Sequence, residues 1–271
     1  MELTTEWITY SSGRHAALSV RPTAAESTPL PIVVVVQEAW GVDAYIQDIA
    51  ARLATAGYAV MAPDLYWSDG ERPEALTPDR TAAVKRLLDV APGVWSDAAQ
   101  RDAALQELPE DEREPVAETL TELAASLANL DVYTGTLRAA VAYALEQPFT
   151  RTQSLGSIGF CVGGALVGRL ASIEPRMGCG VIFYGAPPPA EQRAGITCPL
   201  LGLYGGEDDR ITSQVPEFAA SLEALGKQFE YHVYPGAPHA FFNDTRASYR
   251  VDASRNAWAQ TLGFLARHLV P

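Results

Sequence analysis

Cysteine is scarce in this chain, basic side chains are outnumbered, and long apolar runs are missing. Each shortage excludes a class of protein. Three cysteines, Cys161, Cys179 and Cys198, are too few and too scattered for a disulfide framework or a zinc site. Twenty basic residues against 33 acidic ones leave a formal charge of −13, a field that repels nucleic acid and anionic membrane surfaces. No apolar stretch approaches the length of a membrane span. The run from Met1 to Glu6 has neither the basic region nor the apolar core of a signal peptide. A cytoplasmic protein with neither nucleic-acid nor membrane partner is expected, as a monomer or small homo-oligomer. A reducing compartment keeps a reactive cysteine free.

What is present predicts one α/β domain. At 271 residues, 48% of them hydrophobic, the chain can bury one substantial core. Glu6 to Tyr10 and His15 to Arg21 read as a short antiparallel pair around Ser11-Ser12-Gly13. Ile32 to Val36 is an unbroken β-branched run, the composition of a strand buried on both faces. A helix from about Asp43 to Ala56 stops at Gly57. Tyr58 to Ala62, Leu155 to Phe160, Cys179 to Tyr184, Leu200 to Tyr204 and Phe229 to Tyr234 complete the strands, and Ser248 to His268 reads as a closing helix. This alternation predicts a mostly parallel central sheet with helices on both faces.

Between Leu65 and Leu130 the rhythm breaks. Residues 66–130 carry 14 acidic and 6 basic side chains, and Pro73, Pro78, Pro92, Pro109 and Pro115 punctuate helical patches. The expectation is a lid-like acidic helical insertion at about 66–130, with one helix running from about Val116 to Leu145.

The chemistry centres on Gly159-Phe160-Cys161-Val162-Gly163-Gly164, between an apolar run and a helical one. Glycines two residues before and after a central residue form the pattern of a nucleophile elbow, a sharp strand-to-helix turn that lifts the central side chain above the sheet. Here that residue is cysteine, so the attacking species is a thiolate. An ordinary cysteine titrates near ~8.5 and needs a base, or a helix N-terminus, to ionise at neutral pH. Candidates follow in the chain order nucleophile, acid, histidine. Asp208, or its neighbour Asp209, follows the strand ending at Tyr204, and His239 follows the strand ending at Tyr234. His239 would take the thiol proton while the acid orients the imidazole. Backbone N–H groups of Val162 and Ala39 are the expected oxyanion donors. Glu38 leaves the Ile32–Val36 strand at the same end of the sheet, where it either takes part or caps the helix near Asp43. His15, His232 and His268 read as surface or packing residues, and Cys179 and Cys198 as inert core thiols.

The chain resembles the dienelactone hydrolase family of the α/β-hydrolase fold. The resemblance rests on Gln37-Glu38-Ala39-Trp40-Gly41-Val42, Ala62-Pro63-Asp64-Leu65-Tyr66, the elbow, Gly205-Gly206-Glu207-Asp208 and Pro235-Gly236-Ala237-Pro238-His239-Ala240-Phe241, spread over about residues 30–265. It implies a Cys161–Asp208–His239 triad, with Asp208 preferred as the fourth residue of the Gly205 turn. It also implies that Glu38 contacts the resting thiol and takes its proton when an anionic substrate binds. Family members specific for dienelactone carry arginines that hold the substrate carboxylate. One lies four residues after the histidine, and that position is Asn243 here; Arg72 or Arg80 are candidates for the other. Trp40, Tyr66 and Trp67 are candidates for an apolar pocket wall. The expected activity is hydrolysis of small lactones or carboxylic esters, neutral or anionic, through a thioacyl-enzyme, with no metal or organic cofactor. The alternatives are a broader carboxylesterase or thioesterase, and a non-catalytic ligand-binding or redox-sensing relative.

Overall fold

The computed structural model describes residues 1–150 and 155–269. Its centre is an eight-stranded sheet of strand order β1-β2-β4-β3-β5-β6-β7-β8. The hairpin β1 (Leu3–Tyr10) and β2 (His15–Pro22) joins antiparallel to β4 (Ala59–Pro63), and all the following pairs are parallel. The β-branched run is β3 (Ile32–Val36), and every one of its residues is buried. Helix α1 (Ala44–Thr55) follows, capped by the Asp43 carboxylate on the N–H of Ile46, and ends before Gly57 at φ +99°. Cap and stop are the local signals that set both ends.

The insertion folds as α2 (Pro78–Val90), α3 (Ala98–Gln106) and α4 (Glu110–Ala128). Pro78 opens α2 and Pro109 precedes α4, where a missing N–H costs nothing, but Pro115 lies inside α4. The single helix expected over Val116–Leu145 is two, α4 and α5 (Asp131–Leu145), broken at Asn129. The break has a packing cause. Val116, Leu120 and Leu123 of α4 pack in a satellite cluster with Leu76, Val84, Leu87 and Val94, whereas Leu137, Val141 and Ala144 of α5 pack against the sheet. One straight helix could not serve both cores.

Beyond α5 come β5 (Leu155–Phe160), α6 (Val162–Ile173), β6 (Met177–Phe183), β7 (Leu200–Gly205), α7 (Asp209–Thr212), α8 (Val215–Ala224), β8 (Phe229–Tyr234) and α9 (Val251–Leu269). The last starts three residues later than the sequence predicts. Two apolar layers sandwich the sheet: α1 and α9 contribute to one, α5, α6 and α8 to the other. Among the described residues no helix is long and apolar enough to cross a membrane.

Candidate active site

The elbow exists because its glycines leave no room for side chains. A Cβ on Gly159 would stand 2.0 Å from the carbonyl oxygen of Gly163, and one on Gly163 would stand 2.3 Å from that of Val36. Cys161 adopts φ +56° and ψ −116°, a conformation that costs a non-glycine residue about 1–3 kcal/mol. Its N–H donates to the carbonyl of Phe183 at 3.0 Å, which ties the turn to the end of β6. Val162 opens α6, so its N–H has no intrahelical acceptor.

The loop after β7 is zipped to the loop after β8. Gly206 N–H donates to Tyr234 O at 2.8 Å and Glu207 N–H to Ala237 O at 2.9 Å, while a Cβ on Gly205 would stand 2.5 Å from Ala237 O. This close approach brings Asp208 to His239, whose Nδ1–H donates to Asp208 Oδ2 at 2.5 Å. Asp209 is exposed in the first turn of α7, so of the two aspartates Asp208 meets the imidazole. The Cys161 sulfur lies close enough to the same ring to act on its proton. Burial opposes a charge on this ring, but the facing Cys161 sulfur and the Asp208 carboxylate outweigh it and push its pKa up to about 10. Cys161 is half-buried, whereas Cys179 and Cys198 lie in the core, where burial pushes both thiols up, Cys198 to about 12.

Glu38 is 2% exposed. Its Oε1 accepts from the Tyr184 hydroxyl at 3.1 Å and its Oε2 from the Asn243 amide at 2.8 Å. Burial, reinforced by Asp43, raises its pKa above the ordinary carboxylate range, against the opposing pull of Asn243, Lys85 and His239. It does not cap α1, since Asp43 does. Its two carboxylate oxygens are thus met by Tyr184 and Asn243.

Three residues that the sequence does not mark complete this region. Tyr184, at φ +40° just past β6, is buried with its hydroxyl on Glu38 and its ring on His239. Its one sequence signal is its place at the carboxyl end of the strand beside the elbow. Thr245 and Lys85 stand behind Asn243; a lone lysine in an acidic insertion carries no signal of its own.

The model of the dienelactone hydrolase family matches residues 16–269. The chain belongs to that family. Its sequence is 33% identical over 246 residues to a Saccharolobus solfataricus protein named "Putative carboxymethylenebutenolidase", covering 90% of this chain and 92% of the relative. A Synechocystis protein of the same name is 30% identical over 243 residues, covering 84% and 82% respectively. The crystal structure described as a "Putative Dienelactone Hydrolase" from Klebsiella pneumoniae superposes with a TM-score of 0.73 at 26% identity, covering 98% of this chain and all of that one. The fold is the α/β-hydrolase fold and the protein is a hydrolase.

This dienelactone hydrolase family member engages Arg72 and Arg80 within the structure. Arg72 donates through Nε and Nη2 to one oxygen of the buried Asp64, Oδ2, and through Nη1 to Leu76 O at 3.2 Å. Arg80 clamps α2 to α4 through Glu118 and Thr119. Asn243 is fully buried on Glu38. Arg72, Arg80 and Asn243 thus all meet partners inside the protein. Trp40 and Tyr66 are buried in the satellite cluster: Tyr66 donates to Ala39 O at 2.8 Å, Thr81 to Trp40 O at 3.2 Å, and Arg246 stacks over the Trp40 ring. The insertion thus holds the loop that carries Ala39. Trp67 is half-buried and reaches the β1–β2 turn, donating to Gly13 O at 3.4 Å.

Proposed function

We propose that the protein hydrolyses small lactones or carboxylic esters through a Cys161 thioacyl-enzyme, with His239 as base and Asp208 as the group that orients it. The observation that carries this reading is the 2.5 Å bond between His239 and Asp208, at the same end of the sheet as the elbow that holds Cys161. His239 takes the thiol proton, the sulfur attacks the carbonyl carbon, and the oxyanion forms against the N–H groups of Val162 and Ala39. Collapse breaks the C–O bond, and the leaving oxygen receives its proton from His239. Water, deprotonated by His239, then cleaves the thioester, releasing the carboxylic acid and restoring the thiol.

Glu38 activates the thiol in this reading. An ionised Glu38 and a protonated His239 attract each other, so ionisation of the carboxyl favours transfer of the thiol proton to the ring. Raising the carboxyl above its ordinary range moves it toward the pH at which a proton-controlling group works best. Occupation of Arg72, Arg80 and Asn243 by internal partners favours an uncharged lactone or ester as substrate.

A panel of lactones and aryl esters, with acid-quenched mass spectrometry for an acyl adduct on Cys161, tests the proposal. Cys161→Ala should abolish turnover and adduct, and Asp208→Asn should slow turnover by roughly 10³-fold or more, with Asp209→Asn nearly unaffected. Equal turnover in wild type and Cys161→Ala would end the proposal.

A further inference from the structure

A chain of hydrogen bonds leads from the insertion to the Glu38 carboxyl. Lys85 on α2 places Nζ 2.9 Å from Asp43 Oδ2 and 2.9 Å from Thr245 Oγ1. The Thr245 hydroxyl lies 2.7 Å from Asn243 Oδ1, and Asn243 Nδ2 lies 2.8 Å from Glu38 Oε2. An ammonium can only donate, so the Thr245 oxygen accepts from Lys85 and gives its single proton to Asn243. The backbone N–H of Thr245 donates to the same Asn243 oxygen at 3.0 Å. Asn243 must therefore present its NH₂ to Glu38, and the donor polarity runs unbroken from ammonium to carboxyl. Lys85 and Asp43 are only 14% and 18% exposed, so solvent screens them weakly.

We propose that Lys85 is a positioning residue for Glu38, holding the Asn243 donor in place through Thr245 and, with Asp43, balancing the charge around the carboxyl. The insertion then contributes to the reaction through this side chain as well as through its hold on the Ala39 loop. The inference rests on the activating role proposed for Glu38. The groups facing Glu38 are Tyr184 with Tyr45 behind it, Asn243 and His239, with Asp43 and Lys85 beyond. Of these, Lys85 and Asp43 form a pair of opposite sign, and that gives a diagnostic. Loss of Lys85 makes ionisation of Glu38 harder, and loss of Asp43 makes it easier.

The pH profile of kcat/KM is measured for the full-length wild type, Lys85→Met, Lys85→Arg, Asp43→Asn and Glu38→Gln. Lys85→Met should move the acid limb to higher pH, with kcat/KM at the acid end falling about three- to tenfold. Asp43→Asn, whose amide side chain can still cap α1, should move the limb to lower pH, and Lys85→Arg should restore it. A structural role alone would lower activity in both variants without opposite movement of the limb. Movement in one direction, or an unmoved limb in both, would overturn the proposal. Glu38→Gln separates the two failures. A limb that persists in Glu38→Gln overturns the role of Glu38 itself, whereas one that disappears there yet ignores Lys85 and Asp43 overturns only the positioning role. If Lys85→Met folds poorly, as read by circular dichroism, Lys85→Gln takes its place beside Asp43→Asn in the same comparison.

Discussion

The ring of Tyr184 stands edge-on to the imidazole of His239, with 5.1 Å between centroids and 64° between planes. Its hydroxyl donates to Glu38 at 3.1 Å, so one buried side chain touches both the base and the carboxyl. Tyr184→Phe keeps the ring against His239 and removes one of the Glu38 donors. A hydrogen bond to a charged acceptor contributes about 1.5–3 kcal/mol, so kcat/KM is expected to fall about tenfold or more, most at acid pH, with little change in near-UV circular dichroism. Steady-state kinetics across pH check this, and a rate equal to wild type would remove Tyr184 from the site.

Glu38 should cost the fold stability at neutral and alkaline pH. Its pKa is raised on folding, so its stabilising contribution is complete below the ordinary carboxylate value and is lost as pH rises through the folded value. Glu38→Gln removes the charge, and the Tyr184 hydroxyl can turn to accept from the new amide. The variant is expected to melt about 2–4 °C higher than wild type at pH 8 and to converge with it toward pH 4, although it is slower as an enzyme. Calorimetry over that range decides, and a lower melting temperature at pH 8 would contradict it.

His239 titrates in the opposite sense to an isolated buried histidine. Burial lowers its affinity for a proton, yet the Cys161 sulfur and Asp208 raise the value to about 10. Since the folded value exceeds the ordinary 6.5, the stability it contributes is complete below about 6.5 and is lost as pH rises through about 10. In Cys161→Ala the contribution of the sulfur is lost while that of Asp208 stays, so the midpoint of the His239 resonance should move down. Histidine NMR titration of the two proteins measures this, and an unchanged midpoint would show that the sulfur does not face the ring.

Two glycines give opposite outcomes on substitution by alanine. A Cβ at Gly163 would meet Val36 O at 2.3 Å and Gln37 O at 2.5 Å, backbone atoms at the end of the central strand that cannot yield. Gly163→Ala is expected to lose more than about 3 kcal/mol or to fail to fold. Gly135 lies exposed within α5 with nothing within 4 Å of the added atom, so Gly135→Ala should gain about 0.5–1 kcal/mol. Urea unfolding of both reads the contrast.

Much of the architecture was legible because its signals are short-range. The β-branched run at Ile32–Val36 became a buried central strand, Gly57 stopped α1, and Gly159 and Gly163 made the elbow. The break at Asn129 was not legible, since residues on both sides of it favour helix and only the separation of the two cores forces the chain to turn. The roles of Arg72 and Arg80 were not legible for a related reason. A guanidinium looks the same in sequence whether it waits for a substrate or holds Asp64 or Glu118.

The sequence by itself determined which residues stand at the carboxyl end of the sheet: Glu38, Cys161, Asp208 and His239 each follow a strand whose local chemistry ends it there. Only the tertiary structure decided who meets whom. It set His239 against Asp208 and not Asp209, gave Glu38 to Tyr184 and Asn243, and brought Lys85 from a remote insertion to the end of that chain. Strand ends are set by sterics over a few residues. Partner choice among buried polar groups is set by hydrogen-bond direction and charge between atoms up to 205 residues apart, and no local pattern encodes it.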